Sequence, residues 1–324
     1  MTDIFLFSAA IIVGFILLVW GADRFVHGAA ATARNLGVSP MIIGLTIVGF
    51  GTSAPEILVS IVAAMEGNPG LAVGNALGSN ITNIGLVLGT TALVTPLLVK
   101  SETLRREYPA MFAVMLLALA LMLDNRLSRI DGIILIGGLV LMLIWMVNLG
   151  LRKNRIDPMA QEYDQEIPTI TTPKALLWLL LGFIVLLASS RVLVWGAVNV
   201  ATIMGVSDLI IGLTIVAIGT SLPELAASVM SALRKEPDIA IGNIIGSNMF
   251  NLLAVLGTPA LIAPMDLDAA ILSRDVPYMI GLSIALYTMA YGFRGPGRVN
   301  RIEGGLLLTA YIAYMIILYF SVTG

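Results

Sequence analysis

The sequence predicts an all-α polytopic membrane protein. Ten transmembrane helices form two inverted five-helix repeats, with N-out/C-out orientation. Three observations lead there: an apolar composition, a lopsided distribution of basic residues, and an internal repeat at constant offset.

Hydrophobic residues make up 58% of the 324-residue chain and charged residues 12%. Mean hydropathy is +0.96. Soluble domains run at roughly 45–50% apolar and about 25% charged, so the excess belongs in a bilayer. The net charge of −2 gives no reason to expect a nucleic-acid partner. With no Cys and one His, disulfides, Cys nucleophiles and most soft-metal sites are excluded. Oxygen ligands remain, and they favour hard cations such as Na⁺, Ca²⁺ or Mg²⁺.

In chain order the expected spans are 4–22, 39–65, 71–97, 108–123, 132–150, 175–196, 208–232, 239–263, 277–293 and 303–321. Each is near the ~20 apolar residues that a crossing helix needs. The first lacks the basic leader of a signal peptide and reads as a retained helix. With the N-terminus outside, 14 basic residues fall on inside connections and four on outside ones (Arg126, Arg129, Arg191 and Arg274), accounting for all 18. This is the positive-inside asymmetry. Residues 1–150 form the first repeat, 151–174 a polar cytoplasmic linker and 175–324 the second repeat.

Residues 42–56 read IIGLTIVGFGTSAPE and residues 210–224 read IIGLTIVAIGTSLPE. The match continues without a gap from VGNALGSNITNIGLVLGT at 73–90 to IGNIIGSNMFNLLAVLGT at 241–258. Two segments, 42–90 and 210–258, are thus repeated. Five spans per half is odd, so the second copy enters the bilayer from the opposite side. Transporters built on such inverted repeats bind their substrate near the midplane, on interrupted helices.

The repeated polar residues are the candidates. Glu56 and Glu224 lie in apolar surroundings, where an ionisable residue is a functional candidate by default. Pro55 and Pro223 remove helical hydrogen bonds and bare carbonyls behind them. Thr52 with Glu56, Thr220 with Glu224, Ser79 with Asn83 and Ser247 with Asn251 are spaced i, i+4, so each pair shares a helix face. Gly74, Gly78, Gly242 and Gly246 permit close helix approach. Together these residues make a cage of oxygens whose two carboxylates neutralise one Ca²⁺ or two Na⁺. Asn75 and Asn243 read as interhelical hydrogen-bonding residues, and Asp23, Arg24 and His27 as interfacial ones following the first span.

GTSAPE and GTSLPE, each followed by GNxxGSNxxN, resemble the two alpha-repeats of the sodium/calcium exchanger family, within the cation/calcium antiporter superfamily; the likeness is to its prokaryotic type and covers essentially the whole chain. The resemblance implies antiport of Na⁺ against Ca²⁺ by alternating access. It implies that Glu56 and Glu224 coordinate the ions, that Thr52, Thr220, Ser79 and Ser247 ligate through hydroxyls, and that Gly49 and Ala217 offer backbone carbonyls. Asn83 and Asn251 would complete the central position, and Ser53 and Ser221 would line the path. Potassium-dependent relatives resemble this pattern but carry Asp where Asn251 stands, so potassium-independent exchange is expected. The short linker departs from animal members, whose long loop carries regulatory domains. Spans one and six are the pair that the resemblance expects to slide.

A proton-coupled cation antiporter using the same glutamates is the alternative. An intramembrane hydrolase using Ser53 or Ser221 would lack a base, so no enzymatic activity is expected. No cofactor and no obligatory protein partner are expected. The partners are inorganic cations and the bilayer, in a multi-pass inner membrane protein.

Overall fold

The computed structural model describes residues 2–65, 67, 69–152, 170–205, 217–291 and 297–323. The apolar runs become helices. Among the described residues six helices are long and apolar enough to cross a membrane: Ile4–Leu36, Gly70–Val94, Arg129–Leu149, Thr172–Ile203, Pro237–Ile262 and Arg301–Ser321. A bent pair, Pro40–Thr52 with Ala54–Met65, adds a seventh candidate. The fourth, seventh and ninth expected spans correspond to shorter helices, Glu107–Met122, Leu222–Leu233 and Val276–Ala290. Residues 206–216, the first part of the expected seventh span, and 153–169 of the linker lie outside the described residues.

The first helix, α1 (Thr2–Leu36), is longer than the expected 4–22. Its 35 residues extend roughly 50 Å at 1.5 Å per residue, well beyond a ~30 Å hydrocarbon layer. Asp23, Arg24 and His27 therefore continue the helix and do not sit in a connection. No Pro interrupts the polar tail, and the helix runs through Gly28 to Gly37, which takes φ 64° and ends it. The sixth span shows the same extension, as Thr172–Ile203. These two helices pack along their length with a constant pairing: Gly14 faces Leu193, Gly21 faces Leu186 and Gly28 faces Leu179, while Gly182 meets Phe25. The residue numbers run in opposite senses, so the pair is antiparallel. A methyl group at Gly28 or Gly182 would come within 2.3 Å of the opposite backbone, so only glycine permits this approach.

The bent pair comprises α2 (Pro40–Thr52, with a π turn at Gly44–Val48) and α3 (Ala54–Met65). After it come α4 (Pro69–Thr82), a π turn at Asn83–Leu88 and α5 (Gly89–Val94). In the second half, α6 (Ala217–Thr220) and α7 (Leu222–Leu233) precede α8 (Pro237–Phe250), a π turn at Asn251–Val255 and α9 (Gly257–Ile262). The helix formed by α8 and its continuation is the most enclosed of the apolar helices, with its apolar window fully buried inside the protein. Its glycines explain why. Gly242 and Gly246 lie against Met41 and Leu45 of α2, where an added Cβ would fall 2.7 Å and 2.4 Å from their carbonyl oxygens. Gly74 and Gly78, the counterparts on α4, meet nothing within 4 Å among the described residues.

Strand structure is minimal. Leu97–Leu98 (β1) pairs antiparallel with Arg298–Val299 (β4), and Arg126–Leu127 (β2) with Met265–Asp266 (β3). These two-residue bridges lie in the connections and leave the protein all-helical in class. Each ties a connection of the first half to one of the second.

Candidate functional site

Two breaks position the site. Ser53 separates α2 from α3 with φ −82° and ψ 1°, and Ser221 separates α6 from α7 with φ −90° and ψ 6°. Both lie in the sparsely populated bridge region, one residue after the threonine of GTS. The first break bends the chain by 41°. Pro55 therefore opens a new helix, where its missing N–H is harmless, and does not interrupt an existing one; Pro223 is in the same position. Each glutamate falls in the first turn of that new helix, where the helix dipole stabilises a carboxylate. Thr52 ends α2, beside the carbonyl-rich terminus of that helix.

Close crossing of α2 and α8 then joins the two halves. The Thr52 hydroxyl lies 3.0 Å from Asn243 Oδ1, 3.3 Å from Ser247 Oγ and 3.4 Å from the Gly49 carbonyl oxygen. Ser247 Oγ donates to that same Gly49 carbonyl at 3.3 Å. Ser53 donates to Glu224 Oε1 at 3.3 Å. Asn83 Nδ2 donates to Asn248 Oδ1 at 3.1 Å. Every one of these contacts except that of Thr52 with Gly49 links residues of different repeats.

Glu56 and Glu224 are each 1% exposed. Thr52, Ser53, Ser79, Asn83, Ser221, Ser247 and Asn251 are buried, while Thr220 is half-buried. Among the described residues, Glu56 Oε2, Glu224 Oε2, Asn83 Oδ1, Ser221 Oγ and both terminal atoms of Asn251 lack a hydrogen-bond partner. A buried polar atom left so is costly. Its concentration on these repeat positions marks a place built to meet a polar ligand. Among the described residues no group of three or more His, Cys, Asp or Glu converges. The buried groups gathered here are two carboxylates and neutral oxygen donors, a chemistry that suits a hard cation. The Gly49 carbonyl oxygen faces the Thr52 and Ser247 hydroxyls. Ala217 opens α6, and the residues preceding it lie outside the described ones.

Residues singled out only weakly by sequence also belong to the surroundings. Asn75 Nδ2 donates to the Glu56 carbonyl and to Ser60 Oγ, both at 3.0 Å. Asn243 Nδ2 does the same with the Glu224 carbonyl at 3.3 Å and Ser228 Oγ at 2.9 Å. The offset of 168 holds for every member of these triads, so the repeat itself carried the signal. Asn80 and Asn248, next to the expected serines, are also fully buried.

Comparison with known proteins agrees with this architecture. Residues 6–148 and 174–320 match the family described as Sodium/calcium exchanger protein. The chain is 53% identical over 312 residues to the CaxA protein of Alkalimonas amylolytica, covering 96% of this chain and 98% of that one. It is 30% identical over 347 residues to the Sodium/calcium exchanger MaX1 of Methanosarcina acetivorans, covering 96% and 97%. A solved structure of the sodium-calcium exchanger NCX_Mj, soaked with Na⁺ and Sr²⁺, matches with a TM-score of 0.83 at 32% identity, over 97% of this chain and 98% of that one. The chain belongs to the sodium/calcium exchanger protein family and is a multi-pass membrane protein of cation/calcium antiport.

Proposed function

We propose that the protein exchanges Na⁺ for Ca²⁺, independently of K⁺, through one central cage opened to each side of the membrane in turn. The observation that carries this reading is the pair Glu56 and Glu224, buried in matched contexts, each with an Oε2 unpartnered among the described residues. A buried carboxylate pair without a compensating cation is strongly unfavourable. Cargo cations supply that compensation. One Ca²⁺ or two Na⁺ balance the charge, and a full set of both does not fit one cage, so each displaces the other. The unloaded cage is penalised, which disfavours crossing without cargo and couples the two ions.

In this reading the ligands are Glu56, Glu224, Thr52, Thr220, Ser79, Ser247, Asn83 and Asn251, with the carbonyls of Gly49 and Ala217, while Ser53 and Ser221 line the path. Asn251 is neutral, so no third carboxylate requires a further cation. This is the basis for K⁺ independence.

The chain would cross the inner membrane ten times, as two inverted halves (1–150 and 175–324) with both termini outside. Contacts between connections support this count. An even number of crossings must separate the strands of each bridge, and the ten-span reading supplies it: β1 and β4 fall inside, β2 and β3 outside. The ion pairs Lys100–Asp238 and Arg234–Asp23 join inside segments, and Arg274 donates to Ser321 on the outside.

Proteoliposomes loaded with Na⁺ and diluted into Na⁺-free buffer should take up ⁴⁵Ca²⁺. An imposed pH gradient without Na⁺ should drive none. Uptake driven only by the pH gradient would replace sodium coupling with proton coupling on the same glutamates.

A further inference from the structure

We infer that Asn243 is a positioning residue for the cation cage: it accepts a hydrogen bond from the Thr52 hydroxyl and so fixes Thr52 as a lone-pair donor to the ion. The inference rests on the cage reading above.

The amide of Asn243 is fully buried on α8, one turn before Ser247. Its Nδ2 lies 3.3 Å from the Glu224 main-chain carbonyl. A carbonyl only accepts, so the NH₂ end must face it. Ser228 Oγ, 2.9 Å away, holds the same end. Oδ1 is thereby turned toward Thr52, and an amide oxygen can only accept. Thr52 Oγ1 lies 3.0 Å from it, the shortest of that hydroxyl's contacts. A threonine hydroxyl has one proton. Once that proton is hydrogen-bonded to Asn243, both lone pairs of Oγ1 are available to a positive charge. A proton aimed into the cage would instead repel the cation. Ser247 fits the same scheme, because its proton can go to the Gly49 carbonyl at 3.3 Å.

The chain of contacts runs from the glutamate of the second half, through Asn243, to the threonine of the first. Metal sites use such outer partners to fix the orientation and basicity of their ligands. Asn75 is clamped in the same way by the Glu56 carbonyl and Ser60. The simple competing role for Asn243 is helix-to-helix adhesion, which would not depend on what stands at position 52.

A double-mutant cycle separates the two roles. Displacement of bound ⁴⁵Ca²⁺ by Na⁺ is measured on the purified full chain, which requires no turnover. Asn243→Ala should raise the Na⁺ concentration for half-displacement by about tenfold, a typical coupling for contacting residues. The same shift should appear in a Thr52→Ser background, which keeps the hydroxyl. It should fall below about twofold in a Thr52→Val background. Equal shifts in all three backgrounds overturn the inference. If Asn243→Ala does not fold, Asn243→Ser replaces it, since the shorter side chain cannot bridge Glu224 and Thr52. Glu224→Gln is measured alongside. Wild-type ⁴⁵Ca²⁺ binding in that variant removes the cage and this inference with it, whereas lost binding beside an additive cycle removes only the role of Asn243.

Discussion

Among the described residues Asn251, at the start of the π turn after α8, finds no hydrogen-bond partner for either end of its buried amide. Its repeat mate Asn83 reaches Asn248 with one end and leaves the other unpartnered. On the proposed cage these atoms face cargo, and the neutrality of position 251 sets how much positive charge the cage demands. Asn251→Asp adds a third buried carboxylate, and an uncompensated charge of that kind costs several kcal/mol. The variant should express normally, while its exchange becomes dependent on K⁺ or on pH, with a change of about tenfold or more in apparent ion affinity. Ion dependence identical to wild type, measured by ⁴⁵Ca²⁺ uptake across K⁺ and pH series, would put position 251 outside the cage.

At the scale of elements, the decisive contact is the crossing of α2 and α8, which sets Thr52 against Asn243 and Ser247. Gly246 sits at its closest point, 2.4 Å from an added Cβ to the Leu45 carbonyl oxygen. Gly246→Ala should force the helices apart, lower the melting temperature by an amount corresponding to about 1–3 kcal/mol and weaken exchange. Gly281→Ala, with nothing within 4 Å of its added methyl, is the control and should be neutral or slightly stabilising through helix propensity. Equal melting temperatures for the two variants would contradict the crossing. Much of this was legible in the sequence, because the offset of 168 and the i, i+4 spacing place Thr52, Glu56, Ser79 and Asn83 and their mates without any tertiary information. The glycines also announced the crossing through Gly242 and Gly246. Other features were not legible. The π turns beginning at Asn83 and Asn251 follow no propensity rule, and the clamps of Asn75 and Asn243 on glutamate carbonyls exist only once helices distant in sequence meet. The length of α1 was underestimated because Asp23, Arg24 and His27 look like a connection, yet Asp23 and His27 on the helix face Arg234 at the end of α7.

At the scale of the molecule, the proposed topology makes a claim about sides. The chain has no native cysteine, so single cysteines report accessibility directly. Asp124→Cys lies on a proposed outside connection and Glu102→Cys on an inside one. In right-side-out vesicles a membrane-impermeant maleimide should label the first, and should label the second only after permeabilisation. The reverse pattern would invert the orientation, and labelling of both from one side would refute the span count between them.

Exchange on the proposed cage requires Glu56 and Glu224 together to hold the transported cation. The direct measurement is Na⁺-driven ⁴⁵Ca²⁺ uptake in proteoliposomes for wild type, Glu56→Gln and Glu224→Gln, with equal reconstituted protein and matched melting profiles. Each substitution keeps the shape of the side chain and removes one charge from the buried pair. Both variants should fold and should lose uptake by about two orders of magnitude or more, as expected for breaking a buried charge–charge contact. Uptake at the wild-type rate in either variant would contradict the account.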